Sequence, residues 1–184
     1  MTKTSKRLHV RTSLVVLGLA LGALLTHSAA ADAPSDLKRF AGNYVYAQST
    51  SHGEQVVEKA LEGALAELNV AKRMLAMAAM KRRSLLIKSV RIVAGDTVKV
   101  RLDEFDAEAK LDTPKTIKNP QGKEVKLLFR FKGGKLEQIM KSDRGSMSTV
   151  YKLDADGKTL HRFVTIKGKK LTKPIRFKLT YKRT

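Results

Sequence analysis

From about Ser84 to Thr184 the chain alternates apolar and polar residues with period two, in short runs broken at near-regular intervals by turn residues. Val98, Val100 and Leu102 enclose Lys99 and Arg101, and Leu160, Val164 and Ile166 recur on one face further on. Such alternation buries one side of a strand and wets the other, as antiparallel sheets require. Gly95-Asp96, Asn119-Pro120-Gln121-Gly122, Gly133-Gly134, Asp143-Arg144-Gly145, Asp154-Ala155-Asp156-Gly157 and Lys167-Gly168-Lys169 supply the breaks. They are short enough to pair the flanking runs as hairpins.

Ahead of this stretch, Phe40 to Tyr46 reads as a first strand with Tyr44 and Tyr46 on one face. The period then becomes helical: Val57, Ala60, Leu61, Ala64, Leu65 and Leu68 form one stripe. Ser51 with Glu54 fits a capping box at its start. Asn69 breaks the pattern, and a second segment carries Met74, Leu75, Met77, Ala78 and Met80 before closing in Lys81-Arg82-Arg83. Each segment is short enough to need a surface to pack on. The pattern therefore predicts an all-β fold. About ten strands form an antiparallel up-and-down meander, closed into a barrel because closure removes its two edges. A helix–turn–helix cap is inserted after the first strand.

The N-terminus changes the picture of where this barrel works. Lys3, Lys6, Arg7 and Arg11 precede an apolar run from Leu14 to Leu25, followed by Ala29-Ala30-Ala31, the layout of a cleavable secretory signal. Residues 1–31 are expected to be removed, 32–39 to be a short leader and 40–184 to form one domain. The exported product is periplasmic or secreted. Removal leaves 33 basic against 17 acidic residues, a formal +16. The chain has no cysteine, so no disulfide stabilises it despite an oxidising destination.

Catalytic raw material is thin. Only His52 and His161 survive removal of the signal, and no thiol can partner them. No GxSxG, HExxH, GxGxxG or P-loop pattern occurs. Asp103, Glu104, Asp106 and Glu108 cluster, which reads as a solvated acidic turn and strand edge. No catalytic residue, cofactor or metal ligand is assigned.

The layout resembles the calycin group, and within it the fatty-acid-binding-protein-like and lipocalin-like barrels. The resemblance rests on Phe40-x-Gly42-x-Tyr44 opening the first strand and a helix pair directly after it. Val90-x-Ile92-x-x-Gly95-Asp96-Thr97-Val98, Gly133-Gly134-Lys135-Leu136, Asp156-Gly157-Lys158 and a last strand ending Tyr181-Lys182 complete it. It covers Phe40 to Lys182 and implies an apolar lumen for a lipid-like ligand. This chain departs from the pattern at the family's ligand-clamping arginines. In the last strand the family's Arg-x-Tyr is Leu179-Thr180-Tyr181, and a second arginine position corresponds to Tyr151. The resemblance thus implies the fold more firmly than fatty acid as the ligand.

Arg162 falls on the Leu160/Val164/Ile166 face, where a buried cation would favour an anionic ligand head. The alternative is a bulge that turns Arg162 out and puts His161 and Phe163 inside. Tyr151 and Tyr181 read either as hydrogen-bond donors to a ligand or as core aromatics. Phe129, Met140 and Leu179 are the expected apolar wall. The methionines of the second helix suit a lid over the portal or simple packing onto the barrel mouth.

The charge suggests one more partner. Lys72, Arg73, Lys81, Arg82 and Arg83 concentrate cations on the second helix, which the family resemblance links to docking on anionic membranes. Nucleic acid is disfavoured by export and by the lack of a basic stretch interleaved with aromatics. The reading is a monomeric, exported, non-enzymatic binding protein for a small hydrophobic or amphipathic ligand held in the lumen. The alternative is a basic surface module with a filled barrel, binding anionic membrane, lipopolysaccharide or acidic glycan.

Overall fold

Period-two alternation over the second half of the chain produces nine strands, and turns pair each with the next except at one seam. The computed structural model describes residues 35–81 and 85–184, so the signal segment, Arg82 and Arg83 lie outside the described residues. In order come a one-turn helix α1 (Ser35–Lys38), β1 (Gly42–Tyr46), α2 (Thr50–Leu65) and α3 (Val70–Lys81). Nine strands follow: β2 (Ser89–Val93), β3 (Thr97–Leu102), β4 (Phe105–Lys110), β5 (Lys115–Lys118), β6 (Glu124–Lys132), β7 (Lys135–Ser142), β8 (Gly145–Leu153), β9 (Thr159–Gly168) and β10 (Ile175–Arg183). All ten strands form one antiparallel sheet in the order β4-β3-β2-β1-β10-β9-β8-β7-β6-β5, an up-and-down meander that β1 closes onto β10.

The sheet wraps until its edges nearly meet. Where β4 ends, the Asp112 amide donates to the Phe129 carbonyl at 2.8 Å, and Leu111 bridges to Phe129 in the parallel sense. Inward residues form the core, among them Val98, Val100, Ala107, Leu136, Leu160 and Leu179. One end of the barrel, at the β6–β7 and β8–β9 turns, is plugged by the segment around α1. Leu37 and Phe40 are buried there, and the Phe40 ring packs edge-on to Phe131 at 6.0 Å. Arg183 fastens this plug, lying 5.2 Å over the Tyr44 ring and donating to the Tyr44 hydroxyl and the Arg39 carbonyl. The short leader expected from sequence is thus partly structural.

The helices differ from expectation in two places. The N-cap of α2 is Ser49, whose hydroxyl accepts from the His52 amide at 3.3 Å, whereas Ser51 sits inside the first turn. Asn69 does more than break the chain: its side-chain oxygen accepts from the Lys72 amide at 3.0 Å and caps α3. The apolar segment of α3 is only partly buried. Met80 and Met77 pack on the core, while Met74 and Leu75 are 68% and 73% exposed. The acidic cluster is architectural. Asp103 takes a left-handed φ of 50°, and its carboxylate accepts from the Lys88 and Ser89 amides and the Ser89 hydroxyl.

Gly145 opens β8 where a methyl group would run into the Lys167 carbonyl, a backbone atom that cannot swing away. Gly145→Ala should destabilise the barrel by more than about 1 kcal/mol, read as a lower urea midpoint at unchanged m-value.

Candidate functional site

The register of β6 to β10 stacks the inward side chains in layers. Nearest the helical cap, Leu127, Met140, Met147, Ile166 and Ile175 oppose one another across five strands. Met147 and Ile166 are only partly buried, so this layer forms a greasy mouth beneath α2 and α3. One layer deeper lie Phe129, Gln138, Thr149, Val164 and Phe177. Below that come Phe131, Leu136, Tyr151, Arg162 and Leu179, and then Leu153, Leu160 and Tyr181. Polarity is therefore concentrated in the two middle layers, at Gln138, Thr149, Tyr151 and Arg162.

Alternation with Leu160 and Val164 turns Arg162 inward, so no bulge intervenes and Phe163 faces solvent. Arg162 is 2% exposed, and no Asp or Glu among the described residues pairs with it. Its Nε and Nη1 find no hydrogen-bond partner. The Tyr151 hydroxyl donates to Gln138 Oε1 at 2.8 Å, and the Tyr181 hydroxyl donates to the Ile87 carbonyl at 2.9 Å. Gln138 Nε2 and the Thr149 hydroxyl are buried without partners. Burial pushes the Tyr151 and Tyr181 phenols up, against the opposing pull of the Arg162 charge beside them. Both therefore stay neutral donors. A buried cation that meets only the Tyr151 and Tyr181 hydroxyls and no carboxylate costs several kcal/mol, and the open valences around it belong mostly to N–H and O–H groups. The cluster can take up an anion with several acceptor atoms.

Phe129, Tyr151 and Tyr181 are each 0% exposed, which leaves no water-sized space against them on either side of the wall. The deep lumen is thus filled by its own side chains, and any guest must displace some of them. Two concavities lie outside the lumen: a groove of about 220 Å³ over β1 to β3 and one of about 70 Å³ beside α1 and the β6–β7 turn. The groove's Asp103 carboxylate already accepts from the Ser89 amide and its Arg101 already donates to the Asp103 carbonyl, so it offers less free valence than the interior.

All six lumen residues expected from sequence, Tyr151, Arg162, Tyr181, Phe129, Met140 and Leu179, are buried in this interior. Gln138 and Thr149 belong to the same cluster and were missed. Their signal was a polar residue at an inward position, between Leu136 and Met140 and between Met147 and Tyr151. Of the basic helix residues, Lys72 is exposed and Lys81 ends α3. Arg73 instead turns back onto the end of α2, donating to the Ala66 and Leu68 carbonyls at 2.6 and 3.2 Å.

One surface arrangement invites a catalytic reading. His161 lies 3.1 Å from Asp154 Oδ2 through Nε2 and 3.1 Å from the Thr180 hydroxyl through Nδ1. Thr180 sits mid-strand, its carbonyl accepting from the Ala47 amide, and neither concavity includes it. The trio ties the β8–β9 turn to β10. Among the described residues no three His, Asp or Glu side chains gather as a metal site.

No family model matches the chain, and no curated protein matches it. Solved structures do. Echinococcus granulosus fatty-acid-binding protein 1 aligns with a TM-score of 0.52 at 14% identity, covering 79% of this chain and 98% of that one. Secretory abundant heat soluble protein 4 of Ramazzottius varieornatus gives 0.52 at 15%, over 80% and 96%. A Schistosoma mansoni fatty acid binding protein in complex with arachidonic acid gives 0.50 at 17%, over 81% and 98%. The chain shares the barrel fold of the fatty-acid-binding proteins.

Because Tyr151 is held above its ordinary value of 10.0, the unfolded phenol ionises first as pH rises. Its contribution is intact below about pH 10 and is lost above it, at up to about 1.4 kcal/mol per pH unit. Tyr151→Phe should flatten the alkaline fall in urea-unfolding stability between pH 9 and 11; an unchanged slope would refute the assignment.

Proposed function

We propose that this protein is an exported, non-enzymatic carrier that holds a small amphipathic anion head-first in its barrel, with Arg162 as partner of the charged head. The observation that carries this reading is the Arg162 guanidinium, 2% exposed with Nε and Nη1 unpartnered. A cation kept at that depth without a carboxylate is a standing cost in the empty protein, relieved when an anion arrives. The greasy mouth above it suits the tail of the same molecule, and the fold is one whose similar structures include fatty-acid-binding proteins. The signal-like N-terminus supports export.

Loading requires the cap to move. Met77 and Met80 of α3 pack on the core, and unbranched thioether side chains repack easily around a guest. Val70, Met74 and Leu75 of α3 are left exposed, as is Lys72, which suits contact with an anionic bilayer during transfer.

Native mass spectrometry of protein from its own host should reveal a bound amphiphile. In probe-displacement titrations, Arg162→Met should weaken a long-chain carboxylate by roughly 10- to 100-fold, the worth of a hydrogen bond to charge. The neutral methyl ester should be affected far less. The same variant should raise the stability of the empty protein by about 1–3 kcal/mol, since an apolar side chain replaces an unpaired buried cation. A barrel that is always empty and ignores anionic probes, or an Arg162→Met protein less stable than the parent, would sink the reading.

A further inference from the structure

The outer wall of the barrel carries its charge unevenly. On β3 and β4 cations face acids across the register: Lys99 opposes Glu108 and Arg101 opposes Asp106, and Asp106 lies 3.1 Å from Lys99. On β6 to β8 lysine faces lysine. Lys132 opposes Lys135, Lys135 opposes Lys152, and Lys152 opposes His161, all close to the plugged end of the barrel. Lys126 opposes Lys141 at the other end of the same wall. Among the described residues, none of these lysines has an ion-pair partner.

Like charges directly opposite one another destabilise a sheet, and β3 and β4 show the same chain arranging opposite charges where it bears acids. The nearest carboxylates do not neutralise the row. Glu137 stands opposite Arg130, and Asp154 is held by His161 at 3.1 Å. We propose that this wall, with Lys132, Lys135 and Lys152 at its centre, binds a linear acidic polysaccharide that bears a carboxylate on each sugar ring.

Three features favour that occupant. Successive strands lie about 4.8 Å apart, so the row roots three lysine side chains at a near-even step along the backbone, comparable to the length of one pyranose unit. Phe163, in the next row and 38% exposed, offers an aromatic face for a sugar ring, with Lys178 Nζ 5.5 Å from its centroid. The row runs across the strands, around a convex cylinder. A flexible chain can follow that curve, whereas a flat bilayer would touch only a strand or two at once. Single-stranded nucleic acid would want several stacking aromatics, and this wall presents one. The site is on the outside of the sheet from Arg162, so it stands whether or not the lumen takes a ligand.

The test uses the mature chain and polygalacturonate oligomers, titrated over a range of salt. Lys132→Gln/Lys135→Gln/Lys152→Gln should lower affinity at least tenfold at 50 mM salt and reduce the slope of log K against log salt by about two, near 0.7 per lost contact. A control with the same net charge, Lys59→Gln/Lys110→Gln/Lys170→Gln, should lose less than twofold. Lys135→Glu alone, which turns the row into an alternating one, should abolish binding while leaving the thermal midpoint unchanged or higher. Equal losses in the two triple variants would reduce the effect to net charge and overturn the proposal. So would loss of binding to vesicles containing phosphatidylglycerol, or to oligothymidylate, with polygalacturonate binding unchanged.

Discussion

Everything in this molecule rests on the antiparallel ladder between β1 and β10, which joins the two ends of the meander. Tyr44 faces Arg183 and Tyr46 faces Tyr181 across it. Without that pairing the sheet would have free edges at the start and end of the chain. With it, the nine turn-connected strands become a cylinder whose remaining seam, between β4 and β5, is bridged near Leu111 and Phe129. The ladder also sets the helical cap. Because β1 runs straight into α2, its pairing with β10 places α2 across the mouth and brings Tyr181 within hydrogen-bond reach of Ile87.

Closure dictates the chemistry of the inside. Once the wall is continuous, an inward residue has only other inward residues to satisfy it, and the low dielectric there magnifies any mismatch. Most layers answer with aliphatic side chains. The layers holding Gln138, Thr149, Tyr151 and Arg162 do not, and they leave donors open where a purely structural core would have none. The outside faces the reverse condition: water tolerates charge, so its distribution is free to serve contacts. The contrast between the acid-matched strands β3 and β4 and the lysine-matched strands β6 to β8 is written on that free surface.

The meander was legible because period-two alternation and turn chemistry act locally and agree with the global closure. Arg162 could be placed on the Leu160/Val164 face for the same reason. What escaped the sequence depended on contacts between distant segments. A four-residue helix such as α1 has no periodicity to detect, yet Leu37 is buried because the base of the barrel needs a plug. The stripe of α3 was visible, but spacing does not tell which apolar residues of a helix over an opening meet the wall. Hence Met80 is buried and Leu75 is not. The helix start slipped from Ser49 to Ser51 because both are capping residue types within three positions. Arg73 looked like a surface cation, and only the fold reveals the bare carbonyls of α2 that it covers.

The position of β10 between β9 and β1 has a bearing on biosynthesis. A growing chain can pair β2 with β3, or β6 with β7, as soon as each hairpin emerges. The tube cannot seal until the strand Ile175–Arg183 is available, since among the described residues it alone pairs with both β1 and β9. Until that moment the polypeptide is an open ribbon of paired hairpins.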